Sequence, residues 1–258
     1  MNHMKLKFVR SALVLTALSC LSSATLLAGQ GAQRMLYAVP NNSFIQDSAG
    51  DSALTINDTS GSIATLQTAI NNARSANPSS VIAIHLMSGS TYWVGNSGLV
   101  LGSQECLIGS GAIIKATNSS VTAPLITITN GATNVSIAGG TYDGNGANIY
   151  GIFAPSSSSR VNIDKVTVLN CGQDAIQLNG NGSGTFDNEM TVTRCNVSGS
   201  GAHAGISLWN TTQATCIENY CHSNSVGLWM GNCGYANIAN NICVSNSTGI
   251  NCNSGNDN

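Results

Sequence analysis

The 258-residue chain carries charge on only 8% of its residues and a formal net charge of −2, so it lacks the basic footprint of a nucleic-acid partner. Its 28 glycines sit among abundant Asn, Ser and Thr, a composition that disfavours helix interiors and excludes a helix-rich fold. Hydrophobic residues make up 42% of the chain, which excludes a wholly disordered one.

The first residues have the pattern of an export signal. Lys5, Lys7 and Arg10 give a positive start, Ala12 to Leu21 an apolar run, and Ser22 and Ala24 the small residues of a cleavage site after Ala24. The apolar run is too short to span a bilayer, and Ala17-Leu18-Ser19-Cys20 fits a lipoprotein signal poorly. The expectation is a signal peptide over 1–24, a linker over 25–44 and one domain over 45–258. The protein would then be secreted, periplasmic or on the cell surface, with no stable membrane span. Eight cysteines would remain after cleavage of a segment holding Cys20, in a compartment where thiols tend to pair.

The first regular element is a helix beginning near Ser62. Ile63, Leu66 and Ile70 fall on one helical face, with Ala69 and Ala73 beside them. The runs Val81 to Leu86 and Gly89 to Tyr92 follow it.

The C-terminal half repeats itself. The segments Ala214 to Leu228 and Ala236 to Ile250 align without a gap at an offset of 22 residues. An apolar residue is followed at +3, +5 and +8 by further inward candidates in the sets Ile137/Gly140/Tyr142/Asn145, Ile163/Val166/Val168/Cys171 and Val192/Cys195/Val197/Ser200. The sets continue as Cys216/Asn219/Cys221/Asn224 and Ile238/Asn241/Cys243/Asn246. Each leads into a short strand, beginning at Gly151, Ala175, Gly205, Gly227 and Gly249.

No such unit buries its apolar face alone, so repeats must stack and each strand must pair in parallel with its equivalent about 4.8 Å away. The leucine-rich alternative needs a Leu-x-x-Leu-x-Leu pattern that is missing here. The chain therefore reads as an all-β parallel β-helix. Cys171, Cys195, Cys216, Cys221, Cys243 and Cys252 fall at inward positions, as stacked free thiols or, for Cys221 with Cys243, a disulfide across neighbouring coils. Asn219/Asn241 and Asn224/Asn246 form columns at turns, where stacked amides bond one another and the backbone. The chain stops soon after the strand at Gly249 with no amphipathic cap, which predicts a C-terminally truncated fragment, the alternative being a last coil covered by another subunit.

These spacings, over roughly residues 45–258, resemble the right-handed parallel β-helix superfamily of pectate lyases, polygalacturonases, alginate lyases and uronan epimerases. The resemblance implies a right-handed coil whose open N-terminal end is covered by the helix at Ser62. It also implies a groove across the outer face of one sheet. Strand alternation places Phe153, Gln177, Ser207, Trp229 and Asn251 on that face, with Asp174, Ala204, Val226 and Thr248 just before them. Phe153 and Trp229 have rings able to stack on a sugar, or to pack under a neighbouring loop.

Gly172 to Leu178 is similar to the Gly-Asp-Asp-Cys-Ile segment of polygalacturonases, and Ala202 to Leu208 to their Gly-His-Gly-Ile-Ser segment. The resemblance makes Asp174 and His203 the catalytic candidates, and Gln177, Ser207, Trp229 and Phe153 the substrate-binding ones. Gln173 replaces the first aspartate, His203 is one residue out of register, and no carboxylate lies near Asn148 to Gly151, although inverting hydrolysis needs two.

Lyase or epimerase chemistry needs a base plus a cation to neutralise a uronate. The available groups are Arg160, Lys165, Arg194, His203 and His222, with Asp143, Asp164, Asp174 and Glu218. They are spread one per coil, so most read as solvated turn residues. No acidic cluster suits calcium and no Cys/His spacing suits a metal, so no cofactor is expected. Two functions stay open: a lyase, epimerase or hydrolase acting on an acidic polysaccharide, or a non-catalytic carbohydrate-binding or adhesive module. A purely structural envelope repeat is a third.

Overall fold

Short strands with one αL residue between them can turn a corner only if the next coil turns at the same place, and this rule builds the molecule. The computed structural model describes residues 54–179 and 187–253. The export segment and linker expected over 1–24 and 25–44 lie outside the described residues. The described chain winds as a parallel β-solenoid with three sheets. The first sheet has eight strands, from Leu54–Asn57 to Asn237–Ala239. The second has seven, from Thr91–Val94 to Ile242–Val244. The third also has seven, from Leu99–Leu101 to Thr248–Asn253.

The register agrees with the repeat alignment. In the first sheet Ile137, Ile163, Val192, Cys216 and Ile238 are successive partners. In the second, Tyr142, Val168, Val197, Cys221 and Cys243 follow one another. In the third, Ile152, Ile176, Ile206, Leu228 and Ile250 do. These columns fill one continuous core running from the helix to Met230.

Corners are marked by left-handed backbone. Between the first and second sheets Gly139, Lys165, Arg194, Glu218 and Asn240 all have φ between 53° and 66°. At the start of first-sheet strands Gln104, Asn134, Arg160, Glu189, Gln213 and Tyr235 have φ between 41° and 62°. Side chains with a Cβ pay about 1 kcal/mol or more there, so the pairing on both sides of each corner must hold the conformation. Of the charged residues expected at solvated turns, Arg160, Lys165, Arg194 and Glu218 occupy these corners, whereas Asp143 and Asp174 are buried; Arg194 pairs with Asp164 at 2.6 Å.

The asparagine columns satisfy corner backbone as expected. Asn219 Oδ1 accepts from Cys195 N at 2.9 Å, while Asn219 N donates to Asn241 Oδ1 at 3.0 Å. One corner away, Asn224 Oδ1 accepts from Ser200 N, and Asn224 N donates to Asn246 Oδ1. All eight described cysteines are free thiols. Burial raises the thiol pKa at Cys171 and Cys195 to about 12, so they act as small apolar core residues.

Cys252 departs from expectation. It continues the inward column of Met230 but is exposed, and its neighbour Ile250 is 46% exposed. Among the described residues no strand pairs beyond Thr248–Asn253, so nothing described covers that side of the coil.

The helix Ile63–Ala76 closes the other end. Ile63, Leu66 and Ile70 are buried on the core, and Ser62 caps the first turn by accepting from Thr65 N. Gln67 stands in for a missing strand at the edge of the third sheet: Val100 N donates to Gln67 Oε1 at 2.7 Å, and Gln67 Nε2 donates to Val100 O at 3.2 Å. Edge groups left open invite association, and the amide occupies both. Arg74 then reaches Glu105, whose side chain is fully buried, at 2.7 Å, while Glu105 Oε2 accepts from Gly102 N at 2.8 Å.

Removing one partner of a buried ion pair strands the other charge and costs about 3 kcal/mol. Arg74→Ala is therefore expected to lower the unfolding free energy by about that much in denaturant titration. Arg74→Ala combined with Glu105→Gln should recover most of the loss, and additive losses would show that the pair is not coupled.

Candidate functional site

The outer face of the third sheet gathers most of the residues singled out from sequence. Phe153, Gln177, Ser207, Trp229 and Asn251 are consecutive register partners, one per coil. Their alternation follows from the inward positions of Ile152, Ile176, Ile206 and Leu228, all fully buried.

Ser207 does not face solvent, contrary to the expectation that it binds ligand: its exposure is 0%. Its hydroxyl accepts from Trp209 Nε1 at 2.7 Å, and the Trp209 and Trp229 rings meet at 5.1 Å between centroids, tilted by 52°. Ser207 is thus a support for Trp209 and not a contact surface. Trp209 lies one residue beyond the segment Ala202 to Leu208 that carries the resemblance, at the end of the strand Ala204–Trp209. The same alternation that points Ser207 outward points Trp209 outward two residues later.

The space for Trp209 comes from the next coil. Trp209 is the register partner of Gly231, and a Cβ there would lie 2.4 Å from ring atom Cε3. Any larger residue in that row would push the indole off the strand.

Phe153 is covered by a residue that alternation did not flag. Tyr150, from the turn before the strand, stacks on it at 4.4 Å with an interplanar angle of 12°. Two half-buried aromatic pairs therefore flank the polar rows of Gln177 and Ser207. Gln177 Oε1 and Trp229 Nε1 are buried without a hydrogen-bond partner, and such groups are rare in folded interiors.

Asp174 and His203 are brought together at the N-terminal edge of this face. Asp174 is buried, and its Oδ1 accepts from Ala204 N at 2.7 Å. His203 Nδ1 lies 3.9 Å from the same oxygen, an ion pair only when the imidazole is protonated. Burial raises the Asp174 pKa above the usual carboxylate value, while the Ala204 amide, His203 and Ser207 oppose the shift. Burial pushes the Tyr150 phenol up, and the charge of the Asp174 carboxyl adds to the shift.

The other acids and bases weighed from sequence lie elsewhere. Asp143 pairs with Lys115 at 2.8 Å on the second sheet, Asp164 with Arg194, and Arg160 Nε donates to Asn134 Oδ1 at 2.6 Å. His222 sits on the second sheet beside Tyr220, 4.8 Å between rings. Third-sheet strands contain no Asp, Glu, Lys or Arg, so Asp174 has no second carboxylate there to share acid and base roles.

Among the described residues no group of three or more His, Cys, Asp or Glu could hold a metal ion, and no helix is long and apolar enough to cross a membrane. A cavity of about 640 Å³ lies away from this face, between the first turn of the helix and Trp93 with Gly95 to Gly98. Its lining holds no titratable side chain.

A carboxyl whose folded pKa is raised favours the folded state below the ordinary carboxylate range, and that contribution is lost as pH rises through the raised value. Asp174→Asn removes the cost of the buried charge and can still accept from Ala204 N. The stability of the variant minus that of the parent is expected to grow from pH 4 upward and then level off, in thermal melts across pH. A flat difference would mean that Asp174 titrates as it does in the unfolded chain.

Compared with known proteins, the chain matches no family model, no curated protein and no solved structure.

Proposed function

We propose that this chain handles carbohydrate, binding polysaccharide along the outer face of its third sheet. The observation that carries the reading is the Trp209/Trp229 pair, set over Gly231 and braced by Ser207. Rigid aromatic faces give large contact area at little entropic cost, and a sugar ring presents C–H groups to such a face. The resemblance of Gly172 to Leu178 and Ala202 to Leu208 to polygalacturonase segments falls on this same face and supports a sugar ligand.

Binding without turnover is the better-supported form, because the face offers one carboxylate where hydrolysis wants two. A second reading, catalysis at Asp174 with His203, is favoured by one observation: a buried carboxyl with a raised pKa lies 3.9 Å from an imidazole, a pair suited to exchanging a proton.

The test is binding of the full chain to a panel of soluble and insoluble polysaccharides, with released sugar measured in parallel. Trp209→Ala and Trp229→Ala should each weaken binding about thirty-fold, a loss of about 2 kcal/mol. Gly231→Ala, which keeps both indoles but displaces one, should weaken it as well, while Asp174→Asn should bind like the parent and no sugar should be released. Unchanged binding in both tryptophan variants would overturn the binding face. Sugar release by the parent that vanishes in Asp174→Asn would establish the catalytic reading instead.

A further inference from the structure

Four consecutive rows of the third sheet carry Phe153, Gln177, Ser207 and Trp229 in register. The Trp229 row follows Ser207 directly. The first row holds the Tyr150/Phe153 stack, while Trp209 stands on the third row beside Ser207 and Trp229 on the fourth. Parallel strands are about 4.8 Å apart, so Phe153 and Trp229 are separated by three steps, ~14 Å along the coil axis. A hexopyranose unit in an extended chain advances by about one such step, so sugar rings resting on Phe153 and on Trp229 belong to the first and fourth units of one chain.

Charge selects among such chains. The third-sheet strands hold no ionised side chain, and the titratable groups at their edge are the buried carboxyl of Asp174, His203 and the Tyr150 phenol. The described Lys and Arg side chains lie elsewhere: Arg74 is engaged by Glu105, Lys115 by Asp143, Arg194 by Asp164 and Arg160 by Asn134, and Lys165 is exposed at the corner between the first and second sheets. An anionic chain on this face would lose hydration with only an imidazole to compensate it, beside a carboxyl, and desolvated charge without a partner is costly.

Resting on the glycan-binding reading above, we infer that the ligand is a neutral glycan chain of at least four units, lying across the strands from the Tyr150/Phe153 stack to the Trp209/Trp229 pair. This differs from the acidic polysaccharide expected from sequence resemblance. The middle units lie over Gln177 and Ser207, where the tryptophans cover Ser207 and leave Gln177 to meet hydroxyl groups.

The experiment titrates the full chain with cello- and xylo-oligosaccharides of two to six units, and with oligogalacturonides of the same lengths, at low salt. Neutral ligands should gain at least ten-fold in affinity between three units and four, then level off. Oligogalacturonides of equal length should bind at least ten-fold more weakly. Phe153→Ala and, separately, Tyr150→Ala should abolish the step, and a cooperative thermal melt shows that each variant is folded. Uronates that bind as tightly as neutral chains, or affinity that rises with no step, would overturn the inference and leave the binding face standing. Failure of every glycan to bind would overturn the binding face itself.

Discussion

The parallel ladder ties each residue to its equivalent one coil away. Because register partners stand about one strand spacing apart, a residue is judged by the column it joins as much as by its own environment. An apolar side chain is buried above and below by apolar neighbours, and Ile137, Ile163, Val192, Cys216 and Ile238 make one such column. An amide at a corner needs another amide or a backbone group at the same corner of the next coil. Asn219 meets this condition by accepting from Cys195 N below and donating to Asn241 above. The same rule lets Lys165, Arg194 and Glu218 hold left-handed backbone that each would avoid alone, since the strands before and after these three corners are paired on both sides.

A ladder has two ends, and the described ends differ. At the first, the helix supplies what another coil would. Its apolar face seats on the core, Gln67 takes the donor and acceptor of Val100, and Arg74 neutralises the buried Glu105. At the other, the columns continue into Ile250 and Cys252, where exposure returns although the pattern does not change. Inward position and burial are therefore separate properties: alternation sets the first, and stacking on both sides sets the second.

This separation explains what could be read from sequence. The first and +5 members of the sets reappear as observed register partners, because a repeat with one residue of slippage would turn its apolar side outward. The helix was legible for a different reason, the 3.6-residue spacing of Ile63, Leu66 and Ile70. The burial of Ser207 was not legible. It depends on Trp209 folding back onto it, and on Gly231 leaving room in the next row, which is a relation between three residues on two coils. Tyr150 was hidden for a similar reason, since it lies in a turn where alternation has no meaning. Asp174 and His203 were correctly paired by place, but the amide of Ala204 that holds the carboxyl belongs to backbone geometry and has no sequence signature.

The tryptophan face shows how a solenoid can depart from its own rule to make a surface. Stacking like on like in the outward columns would produce ladders of similar side chains, and the second sheet shows threonines in one such column, Thr141 beside Thr167. On the third sheet each row differs: Phe153, Gln177, Ser207, Trp229. A large ring in one row then needs a small residue in the next, and Gly231 beneath Trp209 meets that need. Variation along an outward column costs the core nothing, because the inward neighbours Ile152, Ile176, Ile206 and Leu228 remain a uniform apolar stack. The scaffold's stability and the chemistry of its face are thus carried by alternate residues of the same strands. A change of ligand preference can accumulate on the odd-numbered positions from Phe153 to Trp229 while the even-numbered ones keep the coil closed.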